Sequence, residues 1–327
     1  MIYPWQKKQY ERLTQAYQNG VMPHALLLTG LDGMGKVDFA RSVAKWLLCD
    51  RKVQDGCGAC SSCSWAMAGS HPDLFEVTLE EKSRVIKVDQ VRHLIEKLQQ
   101  TAHGEYRVAL LYPADQMNPA AANALLKTLE EPAGRTLIIL ITSQSERLPA
   151  TVRSRCQHID FSAGQKETSE NWLRSQGCDE SALLLLNHAY GAPLFVLNLR
   201  DSGYLDCLDR VFDVMVSSCL QNKNLVASAA TLLKQDMHFL LRAMLSIACD
   251  LLKLKLDVSD GDLVNVDRVE QMKQLLPYLE TDALMRFYSK LLQTRSDLNS
   301  GAHLNVQLEL ESMLLSWMNI KSTGVSI

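Results

Sequence analysis

Three glycines and a lysine near the start of the chain have the spacing of a phosphate-binding loop. Gly30 and Gly35 stand five positions apart, Gly33 lies between them, and Lys36 follows. In such loops, glycines let backbone N–H groups approach phosphate oxygens, and the lysine reaches the terminal phosphates. The next position should carry Ser or Thr to bind Mg²⁺, but Val37 offers no oxygen. We therefore predict a degenerate phosphate loop in which ATP binding is doubtful; the alternative is a tight strand-to-helix turn without a ligand.

A nucleotide-hydrolysing enzyme of this type also needs an acidic pair at the end of a later strand. One carboxylate of the pair helps to hold Mg²⁺, and the other orients the attacking water. The apolar run at 108–112 is followed by Asp115, but Gln116 stands where the second carboxylate is expected. Because glutamine cannot take a proton, Val37 and Gln116 are two defects in one metal-and-water site. Loss of ATP hydrolysis explains both, and we assign no residue to hydrolysis within this chain.

Four of the nine cysteines lie within fifteen residues: Cys49, Cys57, Cys60 and Cys63. Zn²⁺ prefers four soft ligands in a tetrahedron, and turns that separate two cysteines by two residues supply them. The polar insert at 49–63 is too small to fold around a core of its own, so metal binding would stabilise it. We predict a structural zinc site; an iron–sulfur cluster and a redox dithiol are the alternatives.

Two arginines, Arg153 and Arg155, lie close together in the segment 151–156. An arginine at the edge of an α/β domain can reach a nucleotide held by a neighbouring subunit, where its planar guanidinium neutralises the γ-phosphate. The alternative is an arginine in a surface salt bridge, which is the more common role of a single arginine.

Apolar runs that alternate with helical patterns predict the scaffold for these positions. Strands are expected at 25–28, 74–78, 108–112 and 137–142. Strands that alternate with helices are typical of parallel βαβ units. Beyond residue 162 we predict helices only, short ones first and longer ones after them. The predicted fold class is therefore α/β plus all-α.

Length and charge limit the classes of function. A chain of 327 residues is expected to form two or three domains. Its net charge of −3 argues against a surface built entirely to bind nucleic acid. The first residues lack the apolar stretch of a signal peptide, and no apolar run approaches the ~18 residues that cross a bilayer. We expect a cytoplasmic protein without membrane contact.

Three stretches carry a resemblance to a known family. Trp5-Gln6 precedes the glycine loop, residues 121–132 read AANALLKTLEEP, and residues 148–156 read LPATVRSRC. Through these stretches and the four-cysteine insert, the chain resembles the clamp-loader subunits of bacterial DNA polymerase III, which are AAA+ proteins. The resemblance is strong over about residues 1–165 and rests on layout beyond them.

Departures from the gamma/tau branch of that family favour its delta-prime branch. The gamma/tau branch keeps an intact Mg²⁺ loop and an Asp-Glu pair, whereas this chain has Val37 and Gln116. A gamma-type lid also presents an arginine after the glycine that corresponds to Gly191, and here Ala192 follows.

The resemblance implies a three-part architecture. A RecA-like AAA+ domain would cover residues 1–162 and carry the zinc insert at 49–63. A small helical lid would cover 163–204. An all-helical collar domain would follow at 205–327 and serve oligomerisation.

The resemblance also implies a function. The chain would be the stationary subunit of a five-membered loader, together with delta and three gamma or tau chains. That loader uses ATP to place the ring-shaped sliding clamp on primed DNA. Arg155 would point into the ATP site of the adjacent gamma subunit, and the four cysteines would carry the zinc of the family. A gamma-like active ATPase and a zinc-containing nucleic-acid-binding protein are the competing functions.

Overall fold

The computed structural model describes residues 1–81, 83–162, 164, 166–221, 231–300 and 305–320. The chain divides into two units. Unit 1 comprises Met1–Gly177 and Gly191–Phe195, and unit 2 comprises Cys178–Tyr190 and Val196–Ile327. The division into domains at 1–162, 163–204 and 205–327 remains a prediction, and two of its limits, residues 163 and 327, lie outside the described residues.

Unit 1 contains one parallel sheet of five strands. The strands are β1 (Ala25–Gly30), β2 (Leu74–Val77), β3 (Arg107–Leu111), β4 (Thr136–Ile141) and β5 (Gln157–Phe161), in the order β2-β3-β4-β1-β5. Every residue of β3 and β4 is buried, as expected for the inner strands of a parallel sheet that helices cover on both faces. The predicted α/β class with a parallel sheet is confirmed, and the glycine loop follows a central strand.

The helices of unit 1 precede, connect and follow these strands. They are α1 (Lys7–Gln18), α2 (Lys36–Leu48), α3 (Ser61–Met67), α4 (Val88–Gln99), α5 (Pro119–Glu130), α6 (Ala150–Arg153) and α7 (Lys166–Ser175). The start of α5 follows the sequence signal directly: the Asn118 side chain accepts a hydrogen bond of 2.8 Å from the N–H of Ala121, and Pro119 occupies the first helical position.

Two hydrophobic layers enclose the sheet, and β1 shows how the chain divides between them. Leu26 and Leu28 join a cluster with α1 and α2, whereas Ala25 and Leu27 join a second cluster with α4 and α5. This alternation follows from the two-residue period of a strand. The glycine loop is thus fixed between a strand buried on both faces and a helix packed against it.

The described residues of unit 2 contain helices and no strand, which confirms the predicted all-α region. Its helices are α8 (Glu180–His188), α9 (Pro193–Asp201, whose first three residues belong to unit 1), α10 (Tyr204–Gln221), α11 (Met237–Lys255), α12 (Val269–Leu275), α13 (Thr281–Ser300) and α14 (Val306–Met318). The predicted apolar faces are buried: Leu240 and Ala248 of α11 are 0% exposed, and Trp317 of α14 is 2% exposed.

No single described helix is long and apolar enough to cross a membrane. The bent pair α8 and α9 meets the length and composition criteria only when its two helices are taken together.

Candidate functional site

The glycine loop between β1 and α2 has the conformation that its sequence predicts. Gly30, Gly33 and Gly35 have φ angles of +121°, +82° and +76°, which residues with side chains rarely adopt. A Cβ atom on Gly30 would also lie 2.3 Å from the carbonyl oxygen of Phe161. The three glycines are therefore needed for the backbone path itself, whether or not a ligand is bound.

Lys36, the first residue of α2, bonds to the loop from which it emerges. Its Nζ donates to the carbonyl oxygens of Gly30 at 2.7 Å and Leu31 at 2.8 Å, and only 6% of its side chain is exposed. Burial lowers the pKa of this ammonium, and the carboxylate of Asp32 at 3.9 Å opposes that shift. A bound triphosphate would have to replace these bonds within the loop.

Asp115, the remaining member of the acidic pair, also has partners within the chain. It lies in a short 3₁₀ helix, Ala114–Gln116. Its Oδ1 accepts a hydrogen bond of 2.5 Å from the hydroxyl of Thr142, and its Oδ2 accepts one of 3.2 Å from the side-chain amide of Gln116. Thr142, the residue after β4, is buried. Both carboxylate oxygens that could bind Mg²⁺ are thus engaged by neutral donors.

A cleft of about 250 Å³ opens beside the glycine loop. This is smaller than the ~300–1,000 Å³ of common ligand pockets. Among the described residues that line it, Asp32 and Asp38 carry negative charge and Lys36 carries positive charge. Leu194 lines the same cleft and donates its N–H to the carbonyl of Gly33 at 3.1 Å. The balance of charge is unfavourable to a polyphosphate.

The segment before α1 packs onto the glycine loop, which motif spacing did not predict. The Trp5 indole donates to the carbonyl of Met34 at 3.0 Å, and the buried side-chain amide of Gln6 donates to the carbonyls of Met34 and Gly35 at 2.7 and 3.0 Å. The Trp5-Gln6 pair, which is part of the resemblance to the clamp-loader family, therefore holds the loop through hydrogen bonds to its carbonyl groups.

Arg155 lies just after α6, where its guanidinium contacts two elements. Its Nε donates to Oε1 of Glu130 at 2.6 Å, and its Nη2 contacts the same oxygen. Its Nη1 donates to the carbonyl of Thr151 at 2.9 Å. The side chain is 34% exposed. The surface salt bridge, which the sequence offers as the alternative to a role at a neighbour's nucleotide (an arginine finger), is therefore present within the chain.

The four cysteines converge, as their spacing predicts. The Sγ atoms of Cys49, Cys57, Cys60 and Cys63 lie within 4.8 Å of one another, and those of Cys57 and Cys63 are 3.9 Å apart. A tetrahedron with Zn–S bonds of about 2.3 Å places its sulfurs roughly 3.8 Å apart. The cluster therefore has the donor atoms and nearly the dimensions that Zn²⁺ requires.

The thiols of this cluster differ in acidity. Burial raises the pKa of Cys49, but backbone hydrogen bonds outweigh it and bring the value down to about 6. One of these bonds is the 3.3 Å contact from the N–H of Cys57. Burial raises the pKa of Cys63 to about 12. Because metal ligands must be thiolates, binding of a cation has to release protons from the set.

A buried Ser–His–Asp group beside the insert is structural. The oxygen of Ser62 and Nε2 of His71 are 2.7 Å apart, while Nδ1 of His71 accepts the backbone N–H of Asp73 at 3.0 Å. Nδ1 is therefore the acceptor nitrogen and Nε2 carries the proton, which it donates to Ser62. The serine in turn donates to the carbonyl of Leu48 at 2.7 Å. A catalytic histidine would accept the proton of the serine. Here the hydrogen bond runs in the opposite direction, from the histidine to the serine.

Comparisons with known proteins give one consistent family. Residues 5–165 match the family "DNA polymerase III, delta subunit", and residues 209–319 match "DNA polymerase III, delta subunit, C terminal". The chain is 34% identical to "DNA polymerase III subunit delta'" of Pseudomonas aeruginosa, with 99% of both chains covered. It is 30% identical to the protein of the same name from Escherichia coli K12, with 99% of this chain and 97% of that one covered.

The chain belongs to the family of DNA polymerase III delta′ subunits. Recognition from Trp5-Gln6, the four-cysteine insert and the stretches at 121–132 and 148–156 is thereby confirmed, including the choice of branch. Among solved structures, a gamma-subunit-related protein of Thermotoga maritima is similar over 95% of this chain and 99% of that one, with 15% identity and a TM-score of 0.43. The Bacillus subtilis clamp-loader delta protein is similar with 12% identity, coverage of 94% and 99%, and a TM-score of 0.36.

Proposed function

We propose that this delta′ family member is the stationary subunit of a clamp loader and completes the ATP site of a neighbouring gamma or tau subunit. Arg155 is the residue that it supplies in trans. The neighbour would bind and hydrolyse the ATP, and this chain would contribute the guanidinium that stabilises charge on the γ-phosphate. The complex as a whole would place the sliding clamp on primed DNA during replication.

The state of the chain's own cleft is the observation that carries this proposal. Lys36 bonds to loop carbonyls, and both oxygens of Asp115 accept hydrogen bonds from neutral side chains. Val37 supplies no oxygen for Mg²⁺, and Gln116 cannot act as a base. A subunit with these features would act in an ATP-driven complex by supplying a residue to the ATP site of a partner.

The position of Arg155 supports its role. The guanidinium of an arginine finger must be held in one orientation, and its side chain must be exposed so that it can contact another chain. Arg155 meets both conditions, because its guanidinium bonds to α5 and α6 while a third of its side chain is exposed. An arginine also stays protonated at any pH at which a loader works.

The four-cysteine cluster supports a structural zinc ion as the cofactor of the chain. Cys49, Cys57, Cys60 and Cys63 provide four sulfurs and leave no position for a substrate or a water. Such a site stabilises the insert and takes no part in ATP chemistry.

Reconstitution with gamma and delta partners tests the proposal. We expect the purified chain to join them in one hetero-oligomer, as measured by native mass spectrometry. Arg155→Ala should leave the assembly intact and lower its ATP turnover. A finger contributes about 10³-fold or more at its own site, but the whole loader should lose less because one of its several sites faces this chain.

The matched control is Arg12→Ala, which removes an exposed arginine from α1. It should leave turnover unchanged. Normal turnover with Arg155→Ala in a correctly assembled loader would rule out the finger role. Vigorous hydrolysis by the isolated chain would instead favour the gamma-like ATPase.

A further inference from the structure

The contacts of Arg155 leave part of its guanidinium free. An arginine carries five N–H donors: one on Nε and two on each terminal nitrogen. Glu130 engages one donor of Nε and one of Nη2, and the Thr151 carbonyl engages one of Nη1. One N–H therefore remains on each terminal nitrogen. Two donors on one planar group are what a phosphate oxygen pair requires for recognition by a fork.

We propose that Glu130 is a positioning residue for Arg155, which holds the guanidinium from its Nε side so that the terminal nitrogens are presented to the phosphate of a neighbouring subunit. This inference rests on the proposed finger role. In the proposed arrangement, Glu130 contacts neither the nucleotide nor the neighbouring subunit and acts only through Arg155. Without this carboxylate, a long side chain at the surface would sample several rotamers and lose entropy when it met its target.

Glu130 and Thr151, which anchor Arg155, lie on helices that are packed into the core of unit 1. Glu130 is the last residue of α5, and Leu125 and Leu129 of the same helix are 0% exposed in the core of unit 1. Thr151 lies in α6 beside Val152, which is also 0% exposed. The guanidinium is thus fixed from two helices that are themselves packed against the sheet. Support of this kind from outside a functional group keeps its geometry productive.

The negative charge of Glu130 strengthens its hydrogen bonds to Arg155. Glu130 accepts from Nε and Nη2 through a single oxygen, Oε1. A neutral amide at this position would keep an acceptor but lose the charge assistance that shortens and strengthens such bonds. The charge and the reach of the side chain can therefore be tested separately.

The experiment compares Glu130→Gln and Glu130→Ala in the reconstituted loader. Turnover lost with Arg155→Ala defines the share of hydrolysis that depends on this chain. An exposed ion pair contributes at most about a five-fold factor, so Glu130→Gln should lower that share about two-fold, and Glu130→Ala should lower it further, by up to about five-fold. The loss should persist at saturating ATP and leave KM unchanged, because a finger acts on the transition state.

Glu131→Gln is the matched control, since it removes an equal charge from the adjacent exposed residue. It should have no effect on turnover. Native mass spectrometry and thermal unfolding of each variant should match the unmodified chain, which separates positioning from a structural defect.

A double-mutant cycle decides the matter. If Glu130 acts through Arg155, Glu130→Gln should have no further effect in the Arg155→Ala background. An equal loss in both backgrounds, or a gain of turnover in Glu130→Gln alone, would overturn the positioning role. If Arg155→Ala itself has no effect, the proposed function fails and the positioning role fails with it, whereas an effect of Arg155→Ala with none of Glu130→Gln refutes the positioning role alone.

Discussion

At the residue scale, the glycine loop has the predicted backbone but its lysine has unpredicted partners. The positive φ angles of Gly30, Gly33 and Gly35 follow from sequence, because few other residues adopt them. The bonds from Lys36 to loop carbonyls depend on how the folded loop orients its C=O groups. Motif spacing carries no information on that orientation, so the bonds that Lys36 makes within the chain could not be predicted from the motif.

This contrast leads to a prediction for Lys36→Met. The change keeps an apolar stem and removes the ammonium, which leaves the carbonyls of Gly30 and Leu31 without their buried donor. We expect a loss of about 1–2 kcal/mol in the free energy of unfolding. ATP turnover of the reconstituted loader should stay unchanged, because the lysine acts on its own loop. Chemical denaturation and a steady-state ATPase assay measure the two effects.

Lys8→Met is the control for this prediction. Lys8 is exposed on α1, so its replacement should change neither quantity appreciably. A loader that loses ATP turnover with Lys36→Met while remaining assembled would show that the cleft of this chain takes part in hydrolysis.

At the scale of elements, the cysteine insert is tied to unit 1 by more than its cysteines. The hydroxyl of Ser62 joins the insert to Leu48 and His71. Lys52 forms an ion pair of 3.3 Å with Glu105, and its ammonium lies 5.7 Å from the ring centroid of Tyr17. The cluster itself was predictable because its four ligands are close in sequence. The contacts to His71 and Glu105 were not, since only the fold brings those residues to the insert.

Metal analysis of the purified chain should find one tightly bound zinc ion. Removal of the metal with a chelator, or by Cys60→Ser, should unfold the insert, because zinc binding contributes about 10–16 kcal/mol in small peptides that fold around it. Hydrogen exchange should then accelerate over residues 49–67, while β3 and β4 stay protected.

The control for the zinc prediction is Cys249→Ser, since Cys249 lies on α11 outside the cluster. This variant should keep its zinc and its exchange pattern. A chain that contains no zinc when purified without chelator would contradict the assignment of a structural metal site.

At the scale of the whole molecule, burial decided which elements could be predicted. The inner strands β3 and β4 are buried throughout and apolar after their first residues, Arg107 and Thr136, so their apolar runs stand out in the sequence. The edge strand β5 (Gln157–Phe161) has three of its five residues exposed, so it contains no apolar run and was not predicted from the sequence. The helices of unit 2 were predictable as amphipathic segments. Their packing partners were not, since apolar faces of similar residues can pair in several ways.

The charge of the whole chain bears on DNA binding. With a net charge of −3, the isolated chain lacks the excess of lysine and arginine that drives binding to the phosphate backbone. We expect no binding of the isolated chain to primed DNA at micromolar concentration, as measured by fluorescence anisotropy at about 50 mM salt. The complete loader, assembled with ATP and its partners, should bind the same DNA and weaken as salt rises towards about 200 mM.

A loader that contains Arg155→Ala provides the control, because it should still assemble and thus shows whether DNA affinity depends on the finger or on the assembly. Steep, salt-dependent binding by the isolated chain would favour a zinc-containing nucleic-acid-binding function. Absence of binding by the chain, together with binding by the complex, follows if DNA contact is a property of the assembly, since a subunit that acts through one guanidinium needs no basic surface of its own.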